Sequence, residues 1–322
     1  MAPTVSIVCP TFNGATRGYL REAIESVLAQ SFKGYELIIV DDGSTDHTKE
    51  VCESYLEDSR VHYIFQPNGG PASARNAGIS ASTGEFICFL DDDDVWKEEK
   101  LQRQLEYIGA QLSNFSNWGM VFTWAELIDA RGNIVGYRGH RQEGAIYKNL
   151  FFENIIDATS SVLVKREIFD KIGLFDEAFK QCQDWDMWLR IAKIYYIYHV
   201  KEYLVQYREH KGRISSNNEK GFFYETAVLK KALSTAPPEI NSVDVYASSY
   251  INRSVVYFSF GEYHKFREMF IRGARVSPKL VTIEHIFLLV ISFLGDGLID
   301  RIKAAKRQIQ KRWIAHRVRE IP

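Results

Sequence analysis

The chain has 322 residues, of which 46% are hydrophobic and 25% charged, a composition typical of a globular protein with one large domain and an appendage. The formal net charge of −1 provides no overall attraction to nucleic acid, so we expect no nucleic-acid partner. The first four residues lead straight into a strand pattern, and the four cysteines lack metal-ligand spacing, so we expect a cytoplasmic protein with reduced thiols and no signal peptide.

The first hundred residues alternate between predicted strands and predicted helices. Short apolar runs predict the strands, and apolar residues three and four positions apart predict the helices. The strands are 5–9, 36–40, 61–65 and 85–90, and two of the helices are 20–30 and 72–81. Successive β-α-β units of this length require right-handed crossovers, so we expect an α/β fold with a largely parallel sheet and helices on both faces.

Four consecutive aspartates, Asp91 to Asp94, follow the fourth predicted strand. Adjacent carboxylates repel one another and need a counter-ion, for which hard divalent cations with oxygen ligands are the usual choice. Asp91 and Asp93 point the same way on an extended segment, so they can share one metal or one metal-bound ligand. Taken alone, the run fits an acidic surface turn with solvated charges equally well.

Polar residues also follow the first two predicted strands, over 10–13 and 41–44. The carboxyl ends of parallel strands meet at one edge of the sheet, where ligands bind in open α/β folds. Three polar clusters at one edge favour a binding site over solvated loops. The first strand is not followed by a glycine-rich dinucleotide or P-loop pattern, so an oxidoreductase or a P-loop enzyme is a weak hypothesis.

The middle of the chain, 118–164, predicts shorter strands that extend the sheet, and 184–195 predicts a helix packed on it. After about Phe223 the pattern is helical, and 250–278 resembles one helix pair of the tetratricopeptide kind. A single pair is too short for an independent solenoid, so we expect a packed appendage. We therefore predict two domains, 1–225 and 226–322.

Four motifs, in order, carry a family resemblance. They are V-S-I-V-C-P-T-F-N at 5–13, I-I-V-D-D-G-S-T-D at 38–46, N-G-G-P-A-S-A-R-N-A-G at 68–78 and F-L-D-D-D-D-V-W at 89–96. Together with Q-D-W-D at 183–186, they make roughly the first 200 residues resemble the family 2 glycosyltransferases. The resemblance implies the GT-A fold, a Rossmann-like mixed sheet flanked by helices. It also implies inverting, metal-dependent transfer of a sugar from a nucleotide-sugar, most commonly a UDP-sugar, to a hydroxyl.

The resemblance implies a donor site built from the first four motifs. Asp41 would accept a hydrogen bond from the nucleotide base, which suits uracil, thymine and guanine; Asp42 matches the neighbouring acid, with a less defined role. Asp93 would hold the metal, Mn²⁺ or Mg²⁺. The implied nucleotide and donor contacts are Pro10, Thr11, Asn13, Asp41, Asn68, Arg75, Asp91 and Asp92.

The downstream motif supplies the implied catalytic base, Asp184, and Trp185 as part of the acceptor-site floor. The local sequence alone favours a helix cap at Asp184, because aspartate is common at helix starts. The chain departs from the family at Gln183, where glutamate is frequent.

The segment 207–210, Y-R-E-H, resembles a family segment that closes over the diphosphate. It implies His210 as a metal ligand and Arg208 as a diphosphate contact, with surface charges at a strand end as the alternative. The Q-x-x-R-W motif of processive members is absent, so we expect one sugar transferred per encounter.

The tail joins an apolar stretch, 280–294, to a basic stretch, 301–319, that holds eight Lys and Arg residues and no acid. An apolar stretch of about fifteen residues is short for a bilayer span, which needs roughly twenty. An apolar helix followed by basic residues suits an anionic membrane surface, so we expect peripheral attachment at the inner face of the cell membrane. A buried helix followed by a solvated basic helix is the alternative.

The expected acceptor is a glycan or a lipid-linked precursor in cell-surface polysaccharide biosynthesis. Two other functions compete with this hypothesis. A nucleotidyltransferase also uses acids and Mg²⁺ but normally needs a basic, glycine-rich loop after the first strand, which 10–14 lacks. A non-catalytic nucleotide-sugar-binding or scaffold protein is disfavoured because both Asp93 and Asp184 are present.

Overall fold

A computed structural model describes residues 3–115, 117–156, 158–210, 213 and 218–294. These residues form two compact units, one within Met1–Leu150 and Asn154–Arg213 and the other within Phe151–Glu153 and Ile214–Pro322. The division predicted after residue 225 stays a prediction.

Nine strands of the described residues form one mixed sheet in the first unit. The sheet order is β3-β2-β1-β4-β8-β6-β9-β5, and β7 pairs with β6 outside this path. The strands are β1 Val5–Thr11, β2 Tyr35–Asp41, β3 Val61–Phe65, β4 Phe86–Phe89, β5 Val95–Trp96, β6 Trp118–Ile128, β7 Ile134–Arg138, β8 Leu163–Lys165 and β9 Tyr196–Arg208.

Helices surround this sheet in the first unit. They are α1 Gly14–Arg17, α2 Leu20–Leu28, α3 Thr48–Glu53, α4 Pro71–Ala81, α5 Lys100–Tyr107, α6 Tyr147–Leu150, α7 Glu167–Ile172 and α8 Gln183–Ala192. A π-helical turn, Ile108–Leu112, continues α5, and a 3₁₀ turn, Thr159–Ser161, precedes β8. The strands and helices predicted for the first hundred residues and for 184–195 are confirmed, with small differences at their ends.

The central strands β1, β2 and β4 are buried on both faces, which explains their continuous apolar sequence. β1 lies between β2 and β4 and is parallel to both. Helix α2 covers one face with the apolar positions Leu20, Ile24 and Val27, which join a core that includes Ile7 and Cys9. Helical spacing thus produces the stripe that seals the sheet.

Between 118 and 164 the short strands β7 and β8 extend the sheet as expected, whereas β6 is longer than expected. β6 runs for 11 residues and pairs in parallel with the 13-residue β9. Register shifts at Trp118/Met120, Thr123/Trp124 and Trp124/Ala125 interrupt this pairing. Such irregularities bend and twist a strand, so one long strand follows a curved path without ending.

The second unit is helical within its described residues. Its helices are α9 Asn218–Leu233, α10 Ser242–Ser259, α11 Tyr263–Val276 and α12 Ile283–Ile291. α10 and α11 pack so closely at Gly273 that a Cβ there would lie 2.7 Å from the Ala247 carbonyl oxygen. A separate apolar core holds Tyr257, Phe258, Phe266, Phe270 and Ile291. In the described part of the chain, no helix has the length and apolarity needed to cross a bilayer.

Candidate active site

The strands β1, β2 and β4 deliver polar residues to one edge of the sheet, as their sequence predicts. Thr11 and Asp41 are register partners at the ends of β1 and β2. Asp41 is buried, and its carboxylate accepts hydrogen bonds from the Ser44 N–H and from the Tyr63 hydroxyl, both at 2.8 Å. Burial, together with Asp41, raises the pKa of Tyr63, so this hydroxyl stays a donor. The Asp41 carboxylate is therefore held in a fixed orientation.

Asp42 shapes the loop that carries Asn68. Its carboxylate accepts from the backbone N–H groups of Gly69 and Gly70, at 2.9 and 2.7 Å. The Asn68 side-chain amide donates to the Asp42 carbonyl at 2.9 Å. At Gly43, φ is 81° and a Cβ would lie 2.7 Å from the Asn68 nitrogen, so glycine is needed where the two segments meet.

Asn13 joins the turn after β1 to the turn after β2. It adopts a left-handed conformation, with φ of 51°, which asparagine tolerates better than most residues. Its side-chain oxygen accepts from the Thr45 N–H, and its own N–H donates to the Ser44 hydroxyl, both at 2.8 Å. Pro10 lies within β1, one residue before Thr11. The predicted base and ribose contacts therefore lie on two turns that are fixed to each other.

Asp92 contacts residues at the end of β1 and in the following helix α1. The Thr11 hydroxyl donates to its carboxylate at 2.6 Å, and Arg17 forms an ion pair with the same oxygen. Burial raises the pKa of Asp92 to about 6, although Arg17 acts in the opposite direction. A Cβ at Gly14 would lie 2.4 Å from the Thr11 hydroxyl oxygen and 2.9 Å from Asp92, so only glycine fits beside this contact.

The four aspartates 91–94 form a turn after β4, which we call the acidic turn. Arg75 forms an ion pair with the first of them, Asp91. Its Nη2 lies 2.6 Å from an Asp91 carboxylate oxygen. The residue is only 4% exposed, and among the described residues its Nε and Nη1 have no hydrogen-bond partner. Buried N–H donors are nearly always paired with protein, water or ligand, so these two groups can donate to a ligand at this edge.

Asp93 and His210 contact each other, with 2.9 Å between Oδ2 and Nε2. Burial raises the pKa of Asp93, but the hydrogen bond from His210 and the charge of Arg213 outweigh it, so the net shift is downward. The ring of Tyr19 lies 5.2 Å from the His210 ring. A carboxylate that stays ionised beside an imidazole is a suitable ligand pair for a divalent cation.

Asp94 is fully buried, and its carboxylate holds neighbouring segments together. Its carboxylate accepts from the Ser160 hydroxyl at 2.6 Å and from the Arg208 N–H at 3.0 Å. The Ser160 hydroxyl oxygen also accepts from the Asp91 N–H at 3.0 Å. Burial, followed by the charge of Asp93, raises the pKa of Asp94 well above its usual value. Ser160 thus closes the acidic turn.

Arg208 is buried, and its guanidinium contacts Asp93, Glu22 and Tyr19. Nε donates to the Asp93 carbonyl at 2.9 Å, and Nη2 pairs with Glu22. The guanidinium carbon lies 4.3 Å from the Tyr19 ring centroid, a cation–π distance. The role in diphosphate binding expected from the sequence stays a prediction.

Asp184 is half-buried in the first turn of α8. Burial raises its pKa, Arg75 lowers it and Asp91 raises it, with a net shift upward. These influences place Asp184 in the same electrostatic environment as the Arg75–Asp91 pair. The helix begins after Cys182, so Asp184 is the second helical residue and not the cap.

Two neighbours of Asp184 are buried. The Trp185 indole N–H donates to the Leu150 carbonyl at 2.8 Å, which fixes the ring at the base of α8. The side-chain oxygen of Gln183 has no hydrogen-bond partner among the residues that the structure describes. The role of Trp185 at an acceptor site stays a prediction.

No group of three or more His, Cys, Asp or Glu side chains is arranged to hold a metal among the residues that the structure describes. Mg²⁺ commonly takes one or two protein carboxylates and completes its shell with substrate phosphates and water. The Asp93–His210 pair fits such a shared site better than an all-protein cage.

Sequence reasoning did not identify several residues that organise this edge. Arg17, Tyr63 and Ser160 contact Asp92, Asp41 and Asp94, respectively. None has a motif of its own. A useful signal was available for Arg17, since a buried acidic run requires nearby cations.

Comparison with known proteins identifies relatives over most of the first unit. Residues 6–173 match the profile described as glycosyl transferase family 2. The Bacillus subtilis (strain 168) protein TuaG, provisionally described as a teichuronic acid biosynthesis glycosyltransferase, is 34% identical over 221 residues, or 68% of this chain and 84% of TuaG. An uncharacterized glycosyltransferase of Rickettsia prowazekii (strain Madrid E) is 33% identical over 220 residues, or 67% of each chain.

Two solved structures resemble the chain over nearly its whole length. The crystal structure of S. aureus TarS 1–349 in complex with UDP-GlcNAc has a TM-score of 0.61 at 19% identity and covers 98% of this chain and 92% of that chain. The mannosyltransferase PcManGT from Pyrobaculum calidifontis, in complex with GDP-Man and Mn²⁺, has a TM-score of 0.60 at 17% identity, with coverages of 99% and 87%. At these identities the likeness is one of fold, and it confirms the predicted α/β architecture.

Proposed function

Because the chain belongs to family 2 of the glycosyltransferases, with the GT-A fold, we propose that it transfers one sugar from a nucleotide-sugar to an acceptor hydroxyl, with inversion. The buried Arg75 guanidinium carries this proposal. It pairs with Asp91 and influences Asp184, and two of its N–H groups have no acceptor in the part of the chain that the structure describes. An anionic or hydroxyl-rich donor between the acidic turn and Asp184 would supply those acceptors.

The donor nucleotide would lie at the ends of β1 and β2. Asp41, held by Ser44 and Tyr63, would accept from a ring N–H of the base, while Pro10, Thr11, Asn13 and Asn68 would line the base and ribose. Complexes of proteins with the same fold, TarS with UDP-GlcNAc and PcManGT with GDP-Man, support a nucleotide-sugar donor. We favour a UDP-sugar.

Asp93 and His210 would hold Mn²⁺ or Mg²⁺ together with the donor diphosphate. When bound, the metal supplies Lewis-acid stabilisation of the charge that grows on the leaving diphosphate. The ion pairs with Arg75 and Arg17 orient Asp91 and Asp92, respectively, and both acids would contact the donor. The Mn²⁺ in the PcManGT complex supports this proposal.

Asp184 would act as the general base. It accepts the proton of the acceptor hydroxyl as that oxygen bonds to the anomeric carbon, and the bond from this carbon to the diphosphate oxygen breaks on the opposite face. Attack from the opposite face inverts the configuration. A raised pKa suits this role, because a carboxylate with a higher proton affinity removes a hydroxyl proton more effectively. Trp185 would support the acceptor-site floor from beneath.

The proposed acceptor is a glycan or a lipid-linked precursor of a cell-surface polysaccharide. The relative TuaG, with its description in teichuronic acid biosynthesis, supports this choice. We place the reaction in the cytoplasm, with peripheral attachment at the inner face of the cell membrane, where lipid-linked acceptors are accessible.

Calorimetric titration of UDP, GDP and dTDP into the full chain, with and without Mn²⁺, tests the donor site. We expect one nucleotide to bind, with an affinity that Mn²⁺ increases in the parent protein but not in Asp93→Asn. Asp170→Asn is the matched control, since this exposed aspartate lies on α7. Failure of all three nucleotides to bind in the presence of Mn²⁺ would refute the proposal.

A second measurement separates the enzyme from its alternatives. A transferase should slowly hydrolyse the bound nucleotide-sugar. The variant Asp184→Asn should lose this hydrolysis and keep its affinity for the nucleotide. Release of pyrophosphate from a nucleoside triphosphate would indicate a nucleotidyltransferase. Tight binding without turnover, with acceptor extracts present, would indicate a scaffold.

A further inference from the structure

Helix α12 presents an apolar surface to solvent. The exposed fractions are 87% for Ile283, 52% for Ile286, 57% for Phe287 and 60% for Val290. The following turn adds Phe293, which is 69% exposed. These positions recur at the three- and four-residue spacing of one helix face, and together with Leu294 they form what we call the α12 apolar face.

The opposite side of α12 anchors the helix to the second unit. Ile291 is buried in the core of that unit, and Leu288 and Leu289 pack against the same core. Thr282 and His285 form a capping box at the start of the helix, in which the side chain of each residue accepts from the backbone N–H of the other. α12 is therefore a formed helix with two apolar sides, and the described residues of its unit cover only one of them. Single exposed apolar residues are ordinary in proteins, but a contiguous face usually marks an interaction surface.

The sequence after this helix supplies a complementary charge. Residues 301–319 hold eight Lys and Arg and no acid, which favours an anionic partner. An anionic lipid surface satisfies both features, because lipid accepts the apolar side chains and its headgroups attract the cations.

We propose that the α12 apolar face inserts into the interfacial layer of an anionic lipid bilayer, with 301–319 adding electrostatic attraction. This inference deepens the proposed membrane location by naming the surface and the lipid chemistry. Binding is measured without a transfer reaction, so the membrane surface and the proposed catalysis can each fail alone.

Flotation of the full chain with phosphatidylglycerol-containing vesicles and with pure phosphatidylcholine vesicles tests the proposal. We expect binding to the anionic vesicles, weaker binding to the neutral vesicles and a decrease with rising salt. The double variant Ile286→Ser, Phe287→Ser should lower vesicle affinity on the order of tenfold or more, because two apolar side chains lose their burial in lipid. A variant of the basic stretch, Lys306→Gln with Arg307→Gln, should lower affinity for anionic vesicles only.

The matched control is Phe223→Ser, because Phe223 is 66% exposed on α9 of the same unit. It should bind vesicles like the parent protein. Circular dichroism and nucleotide titration should be unchanged in all variants, which confirms that each is folded. Equal vesicle binding by the α12 variant and the parent would overturn the proposal. So would a dimer of the parent that the α12 variant abolishes, since a second copy would then be the occupant.

Discussion

Among single residues, Asp184 most directly links the electrostatics to the proposed chemistry. Burial raises its pKa above the usual 3.8, while Arg75 opposes this shift. A general base acts only when deprotonated, so activity should rise with pH as Asp184 loses its proton. The acidic limb of the rate profile is therefore expected above pH 3.8, the value for an unperturbed aspartate.

Replacing Arg75 tests this electrostatic link. Arg75→Met removes a cation that lowers the pKa of Asp184, so the acidic limb of kcat should move to higher pH. Arg75→Lys keeps the charge and should leave the limb close to that of the parent. The quantity to follow is kcat, because a lost donor contact changes KM as well. If the acidic limbs of kcat coincided in Arg75→Met and Arg75→Lys, the charge of Arg75 would not control the pKa of Asp184.

Gly14 offers a steric test of the Thr11–Asp92 contact. The Cβ of Gly14→Ala would lie 2.4 Å from the Thr11 hydroxyl oxygen and 2.9 Å from Asp92, so the turn after β1 must shift. We expect a loss of about 1–3 kcal/mol in the free energy of unfolding, together with weaker nucleotide binding. Urea unfolding and calorimetry measure these effects. Gly109→Ala is the control, since among the described residues no atom outside its own helical turn lies within 4 Å of its Cβ position. An equal loss there would contradict the steric explanation.

The sequence allowed prediction of the acids at this edge but not of their partners. Asp41 and Asp91 follow apolar runs, so strand periodicity alone locates them. The contact between Thr11 and Asp92 joins residues 81 positions apart, and Ser160 lies 66 positions from Asp94. Such pairs depend on how strands are ordered in the sheet and on side-chain packing, and no local pattern encodes either.

Among the secondary-structure elements, α1 and α3 are joined through Asp46. Its carboxylate accepts from the backbone N–H and hydroxyl of both Thr16 and Thr48. Burial acts against these four hydrogen bonds, which nevertheless lower the pKa of Asp46 to about 2. The ionised form thus stabilises the folded state.

The pH dependence of stability follows from the sign of that shift. The contribution of Asp46 is complete above its unfolded pKa of 3.8 and is lost as pH falls through about 2. Asp46→Asn should therefore unfold at lower urea concentrations near neutral pH, with a difference that closes as pH approaches 2. Urea titrations at several pH values measure this difference. A constant difference over the whole range would contradict the assignment.

Arg208 ties the end of β9 to α2 and to the acidic turn. Arg208→Met removes the contacts to Glu22 and to the Asp93 carbonyl. The side chain of Glu22 is 54% exposed and is hydrated once its partner is gone, so we expect a loss of only about 1.5–3 kcal/mol in the free energy of unfolding. Mn²⁺ should also enhance nucleotide binding less in this variant. Arg103→Met, at a half-exposed arginine of α5, is the control and should change stability by less than about 0.5 kcal/mol. If Mn²⁺ still increased the nucleotide affinity of Arg208→Met as much as that of the parent, Arg208 would not be needed to position the metal ligands.

Prediction of the secondary structure succeeded where one rule dominated. β1, β2 and β4 are buried on both faces, so their apolar runs identify them. The sequence of 118–164 predicts shorter strands, whereas β6 runs for 11 residues. Its register shifts against β9 let one strand bend without ending, and they depend on a pairing partner that lies far away in the sequence.

For the molecule as a whole, the two compact units have separate apolar cores. Phe266 is fully buried in the second core, so Phe266→Ala should remove about 3–5 kcal/mol from the stability of that unit. Nucleotide binding by the first unit should survive. Urea unfolding of the full chain, monitored with and without nucleotide, should show one transition that shifts with nucleotide and another that shifts with the variant. A single transition affected by both would indicate one cooperative body.

The closure of the acidic turn by late residues has a consequence for biosynthesis. Asp94 and the Asp93 carbonyl are bound by Arg208, which follows them by 114 and 115 residues. At a translation rate of roughly 5–20 residues per second, the ribosome needs roughly 6–23 s to reach that arginine after making the turn. During this interval the nascent chain holds four neighbouring acids without their final anchor. A polypeptide released before β9 is complete should therefore be unable to bind its donor, however well its first four strands have paired.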